Sequence, residues 1–250
     1  MNRSRLALAA VIFAATALPS QGAFHFMEIE QIVGGLSGNA SAQAIQLQLR
    51  NTGQNVLIST RLVARDSAGN NPVVLFDFTA NGPSALNASR ILIASPAFLT
   101  LMTGVLATDG VTAFSSDYTM AAVIPPSYLA GGKVTFENDT GTSVIWSIAF
   151  GNYAGTNLGT TENDNDGNFG TPFASALPTN SRGLLYRTLA DVPGAGNKHT
   201  INSTEYALTS GNATVVNSAA KSFTVVPEPG IAALLGAFGL SVFAIARRRG

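Results

Sequence analysis

Glu162-Asn163-Asp164-Asn165-Asp166-Gly167 sets three carboxylates at alternate positions and a glycine directly after the third. Alternate side chains converge when the backbone curls around a cation, and a glycine at the sixth place permits the sharp turn. This is the first half of a twelve-residue calcium loop. The second half departs from the pattern, because Phe173 occupies the twelfth position, where a bidentate glutamate belongs. Two readings stand side by side. Either Glu162, Asp164 and Asp166 hold calcium with help from loop carbonyls or distant groups, or the segment is a solvated acidic turn.

Other reactive chemistry is sparse. His25 and His199 are the two histidines, far apart and without a glutamate at helical spacing, which makes a poor zinc site. Cysteine is absent, so there is neither a thiol nucleophile nor a disulfide. No Gly-x-Ser-x-Gly stretch presents a hydrolase serine. Glu28 and Glu30 are two apart, hence on one face of a strand. They read as a carboxylate pair or, more plainly, as solvated groups at a strand edge. Tyr118, Tyr128, Tyr153 and Trp146 offer rings for stacking on sugars, but Trp146 alternates with Val144 and Ile148 and reads as core. Catalytic residues are therefore expected to be none.

The elements that position these residues follow from period two. Met27, Ile29 and Val33 fall on one face of their segment. Ile45, Leu47 and Leu49 do the same, with Gln46, Gln48 and Arg50 opposite, as do Val144, Trp146, Ile148 and Phe150. Such alternation marks strands with one wet face. Val73–Phe78 and Ile91–Ala94 are short apolar runs that read as more buried strands. Turn signals separate the strands at Asn51-Thr52-Gly53, Ser67–Asn70, Asn81-Gly82-Pro83, Gly131-Gly132 and Asn138–Gly141. Ser95–Leu106 has room for one helical turn, and Gly151–Pro178 reads as a long polar loop. Many short strands between frequent turns predict an all-β antiparallel sandwich with long loops.

Charge excludes one class. Between residues 24 and 226, nine basic residues stand against thirteen acidic ones, which leaves −4. That is no footprint for nucleic acid. About 200 residues without disulfides still suffice to bury a core.

Both ends of the chain are oily. Arg3 and Arg5 precede the uncharged stretch Leu6–Leu18, and Pro19-Ser20-Gln21-Gly22-Ala23 breaks it with small residues. Residues 1–23 read as a secretory signal peptide, cut after Gly22 or Ala23. At the other end, Val226-Pro227-Glu228-Pro229 precedes an uncharged run to Ala246, and Arg247, Arg248 and Arg249 follow at once. A helix over 230–246 spans roughly 26 Å at 1.5 Å per residue, short but near bilayer thickness. The arginines should stay cytoplasmic. The two prolines hold the preceding chain extended, as a peptidase requires of its substrate.

This tripartite end resembles a PEP-CTERM sorting signal, spanning residues 223–250. The resemblance implies a Gram-negative bacterium that makes extracellular polysaccharide. It also implies processing at Pro-Glu-Pro by an exosortase-type membrane peptidase, transient anchoring in the inner membrane with the body in the periplasm, and delivery to the cell surface or biofilm matrix. Extracellular polysaccharide is then an expected partner.

The body, 24–222, is similar in the order of its motifs to the lamin-tail domain. The matching stretches are Glu28-Ile29, Gln46-Leu47, Arg50–Gly53, Leu62, Asp66, Ile91–Ala94, Gly183–Arg187 and Asn202–Leu208. It departs from that pattern at Gln46, where an acidic residue is usual, in lacking a Trp after the Asn-Thr-Gly turn, and in lacking a closing Thr-Pro-Gly segment. The resemblance implies an immunoglobulin-like β-sandwich that binds or scaffolds and carries over no catalytic residue. Together these readings predict an exported, non-enzymatic surface or matrix protein with a structural or adhesive role. The alternatives are a calcium-dependent carbohydrate-binding module and, third, a secreted hydrolase.

Overall fold

The computed structural model describes residues 26–161, 163–186 and 200–226. The protein is mostly β-sheet. Its strands are β1 (Met27–Val33), β2 (Ala44–Leu49), β3 (Thr60–Arg65), β4 (Val73–Phe78), β5 (Arg90–Ala94), β6 (Tyr118–Thr119), β7 (Gly131–Asn138), β8 (Val144–Gly151), β9 (Leu184–Tyr186), β10 (Tyr206–Leu208), β11 (Thr214–Val216) and β12 (Ser222–Thr224). Two short helices interrupt them, α1 (Pro96–Leu101) and α2 (Asn202–Glu205). One sheet has the order β10-β9-β1-β2-β5-β6 and the other β4-β3-β7-β8; β11 and β12 form a separate hairpin.

The alternating apolar residues meet between the two large sheets. Met27, Ile29, Ile32, Ile45, Leu47, Leu49, Ile91 and Ile93 come from one sheet. Leu62, Ala64, Val134, Phe136, Trp146, Ile148 and Phe150 come from the other. This is the sandwich that the alternation predicts.

Strict alternation fails in β1. Ile29 pairs with Leu47, and Gln31 pairs with Gln46, so Glu30 is an extra residue, a β-bulge. Beyond a bulge the faces exchange. Ile32, not Val33, continues the core face of Met27 and Ile29. Val33 joins a second apolar cluster on the sheet's other face, with Leu36, Ala44, Leu92 and Ala94.

That outer cluster is covered by α1 and by the β11–β12 hairpin, which contribute Phe98, Val215 and Phe223. The helix starts where proline and serine dictate: Ser95 Oγ accepts the Phe98 N–H at 3.1 Å, and Pro96 opens the first turn.

Two further expectations need correction. Val73–Phe78 is an edge strand rather than a buried one; Val74 remains 38% exposed. Gly131-Gly132 opens β7 instead of making a turn. A Cβ on Gly131 would lie 2.7 Å from the Asn152 nitrogen, and one on Gly132 2.9 Å from the Arg65 carbonyl oxygen. The glycines permit close approach of neighbouring backbones.

The polar segment after β8 holds no regular strand, yet it is packed. Phe169 is fully buried beside Trp146. Asn157 and Asn202 form a buried amide network on β8: Ser147 Oγ donates to Asn157 Oδ1 at 2.6 Å, and Asn157 Nδ2 donates to Asn202 Oδ1 at 2.8 Å. Asn202 Nδ2 in turn donates to the Ser147 carbonyl. Among the described residues, no helix is long and apolar enough to cross a membrane. Segments 1–23 and 230–246 lie outside them.

Candidate functional site

The outer face of the six-stranded sheet carries the densest polar chemistry. Strand register builds it in rows: Glu28 opposite Gln48 opposite Arg90, then Gln31 opposite Gln46 opposite Leu92. Glu28 and Glu30 are each 2% exposed. They are not solvated edge groups, because β1 lies between β9 and β2 and is central. Buried carboxylates need partners, and both have arginines. Arg90 grips Glu30 with Nη2 2.6 Å from Oε1 and Nε 2.7 Å from Oε2. Gln46 Nε2 adds a third donor at 2.5 Å. The hydrogen bond to Glu30 raises the Arg90 pKa above the ordinary guanidinium value, against the opposing effect of burial. Arg50 lies 3.5 Å from Glu28, donates to Asn163 Oδ1 at 2.6 Å, and stacks 5.7 Å from the Trp146 ring centre. Gln48, with its amide turned to suit both neighbours, donates to Glu28 at 2.8 Å and accepts from Arg90 at 3.2 Å. Glu30, saturated by Arg90 and Gln46, positions strands; it is poorly placed to take a substrate proton.

The acidic loop is built into the fold through its asparagine. Asn163 is fully buried and donates to the Met27 carbonyl at 2.7 Å. Asp164 is also buried; its Oδ2 accepts the Thr200 N–H at 2.6 Å, and its Oδ1 accepts the Asp166 N–H at 3.3 Å. Asp166 Oδ1 accepts the Asn168 N–H at 2.9 Å. Burial first, and then contact with the Asp166 carboxyl, raise the Asp164 pKa. Gly167 takes φ +66°, the left-handed turn that the spacing asks for. Glu162 lies outside the described residues. Among the described residues, no three acidic or histidine side chains converge as a metal cage.

A second ionic network crosses the outer face of the four-stranded sheet. Glu137 is fully buried and contacts Arg61 at 2.9 Å and Arg65 at 3.0 Å. Thr135 Oγ1 donates to it at 2.8 Å. Nearby, Lys133 donates to the Thr156 carbonyl at 2.7 Å and lies 5.5 Å from the Tyr153 ring centre. Burial, followed by repulsion from Arg65, lowers the Lys133 pKa to about 8. Burial pushes Tyr153 up to about 12, and Tyr186 and Tyr206 higher still.

These shifts predict the shape of stability against pH. Between about 8 and 10.5 the unfolded chain keeps the Lys133 proton that the folded chain has released, so stability rises with pH. Above about 10 the unfolded chain loses tyrosine protons that the folded chain retains, so stability falls. Burial raises Tyr118 as well, and four tyrosines outweigh one lysine. The urea midpoint should therefore pass through a maximum near pH ~10, and Tyr206→Phe should soften the alkaline fall. A midpoint that declines steadily from pH 7 would contradict this.

The remaining sequence-level candidates divide simply. Val226 ends the described chain and is 40% exposed. Pro227, Glu228, Pro229, Arg247, Arg248, Arg249, His25 and His199 lie outside the described residues. Trp146 is core, and Tyr118 packs on Phe76 and Phe78 rather than offering a free ring face. Arg90 and Gln31 carry no motif of their own in the sequence. The usable signal was the row of glutamines opposite Ile45 and Leu47, which marks a polar face but not its burial. Neither protein-family models, nor curated proteins, nor solved structures give a match to this chain.

Proposed function

We propose that this is an exported bacterial surface or extracellular-matrix protein with a structural or adhesive, non-enzymatic role. Its body would be an immunoglobulin-like sandwich of the lamin-tail kind. It would be held briefly in the inner membrane by residues 230–246 and released through cleavage at Pro227-Glu228-Pro229 by an exosortase-type peptidase.

The observation that carries this reading is the junction between fold and signal. Val225 is fully buried, and its N–H donates to the Ala213 carbonyl at 2.8 Å. Val226 is exposed, and the Pro-Glu-Pro motif begins at the next residue. A cut there removes the membrane segment and leaves the last core residue seated. The non-enzymatic part of the reading is supported by the carboxylates at hand: Glu30 and Glu137 are each occupied by arginines.

Intact mass of the exported protein from its native host tests this. The expected mass lacks everything beyond the Pro-Glu-Pro region, and Pro227→Ala/Pro229→Ala keeps the full C-terminus and stays with the membrane. A native protein that still carries Arg247–Arg249 would overturn the sorting reading and leave a permanently tethered protein.

A further inference from the structure

We infer that the groove between the outer face of the six-stranded sheet and the β11–β12 hairpin binds an extended, uncharged glycan chain. The hairpin covers the apolar end of that face, and depressions remain along its border with the polar rows. One depression of about 250 Å³ is lined by Glu30, Gln31, Gln46 and Arg90 from the sheet and by Thr214 and Val216 from the hairpin. A second, of about 230 Å³, shares Arg90 and Val216 and continues past Asn87 and Ser89. Together they reach the size range of ligand sites, and their shared wall makes one elongated track.

An unsatisfied group points to a ligand. Gln31 is 2% exposed, lines the groove, and its Nε2 has no hydrogen-bond partner. Its neighbour across the register, Gln46, is fully used: Nε2 donates to Glu30, and Oε1 accepts the Val216 N–H. A buried donor without an acceptor costs about 1–3 kcal/mol, and β1 holds this one against Gly183, where a Cβ would come within 2.5 Å of it. Rotation about the terminal torsion, which is soft, turns the amide nitrogen toward the groove, where a ligand oxygen satisfies it.

The lining sets the ligand's chemistry. Glu30 and Arg90 are the charged residues on the track, and they neutralise each other at 2.6 Å. An anion would have to break that pair and expose a buried carboxylate. The other polar groups are amides and hydroxyls, which suit ligand hydroxyls because a hydroxyl both donates and accepts. Leu185 and Val216 supply apolar wall for the C–H faces of a sugar. The choice of a polymer over a free sugar rests on the matrix reading above.

The test is calorimetric titration of the full chain in detergent micelles with hexasaccharides. Neutral laminari-, cello- and maltohexaose are compared with hexagalacturonate. At least one neutral hexasaccharide should bind, and the acidic one should bind much more weakly. Gln31→Leu should weaken binding at least ~10-fold, the loss of one buried hydrogen bond, while raising the melting temperature of the free protein. Thr214→Val, on the exposed rim, should weaken binding without moving that temperature. Three results would each overturn the inference: no neutral hexasaccharide binding at millimolar concentration, equal or stronger binding of hexagalacturonate, or unchanged binding by Gln31→Leu. All are read on purified protein, so they leave the sorting reading untouched, and a failure of C-terminal processing leaves them untouched in turn.

Discussion

Glu137→Ala is expected to destabilise the fold by about 3–5 kcal/mol, the usual cost of removing one partner from a buried ionic cluster. The carboxylate is fully buried on β7, and β3 brings Arg61 and Arg65 to it from one side. Arg61 meets Oε1 through Nε at 3.1 Å and Nη2 at 2.9 Å, while Arg65 Nη2 reaches Oε2 at 3.0 Å. The arginine side chains are only 23% and 16% exposed. Without the anion, two guanidiniums four residues apart on one strand face repel each other with little water to screen them. Glu137→Gln should be nearly as damaging, because it restores an acceptor but not the charge. The triple replacement of Glu137, Arg61 and Arg65 by leucine should recover most of the loss, ending within roughly 1–2 kcal/mol of the parent, since apolar isosteres escape the desolvation cost. Urea midpoints of the four proteins decide the matter. If Glu137→Ala shifts the midpoint no more than a typical surface change, the cluster is ornamental and the four-stranded sheet is held by its core alone.

The paired partners in that cluster lie 72 and 76 residues apart in the chain, and those of Glu30 and Arg90 lie 60 apart. Separation of this kind explains what was legible in the sequence. Alternation exposed β2 and β8, because a two-sided strand writes its own burial pattern into adjacent residues. The turns at Asn51–Gly53 and Asn138–Gly141 carried glycines that do take positive φ, +78° and +70°. The bulge at Glu30 left no local trace; it is a property of how β1 meets β2. Without it, parity puts Val33 in the wrong cluster and sets Gln31 on the core face, where the bulge does not leave it. Strands β9 to β12 have three residues each, too short for any period to show. The burial of Glu28 and Glu30 depends on the hairpin and the 163–169 segment, which arrive more than a hundred residues later.

Trp146→Ala is expected to cost about 3–5 kcal/mol, as loss of a large buried aromatic generally does, and its effect should not stop at packing. The indole is fully buried on β8 in the four-stranded sheet. Its ring stands edge-on to Tyr186 of β9 at 5.6 Å and to Phe169 at 5.4 Å. Its Nε1 donates to the Tyr206 hydroxyl at 2.8 Å, and that hydroxyl donates to the Ile29 carbonyl at 2.5 Å. One hydrogen-bonded chain thus ties β8 across the sandwich to β10 and then to β1, at the residue just before the bulge. Tyr206→Phe should separate the polar link from the packing. It keeps the ring but strands an indole N–H and a backbone carbonyl, at about 1–3 kcal/mol. Trp146→Phe loses the same donor, so the double variant Trp146→Phe/Tyr206→Phe should be less destabilised than the two singles summed. The informative readout beyond the urea midpoint is amide hydrogen exchange along β1. If the chain fixes the bulge, Tyr206→Phe will speed exchange at Glu30 and Gln31 more than at Ile45 or Leu47 of β2, and the groove that these residues line will lose its shape before the sandwich loses its core. Uniform acceleration across both strands would instead mean that the bulge is held by the Glu30–Arg90 pair alone.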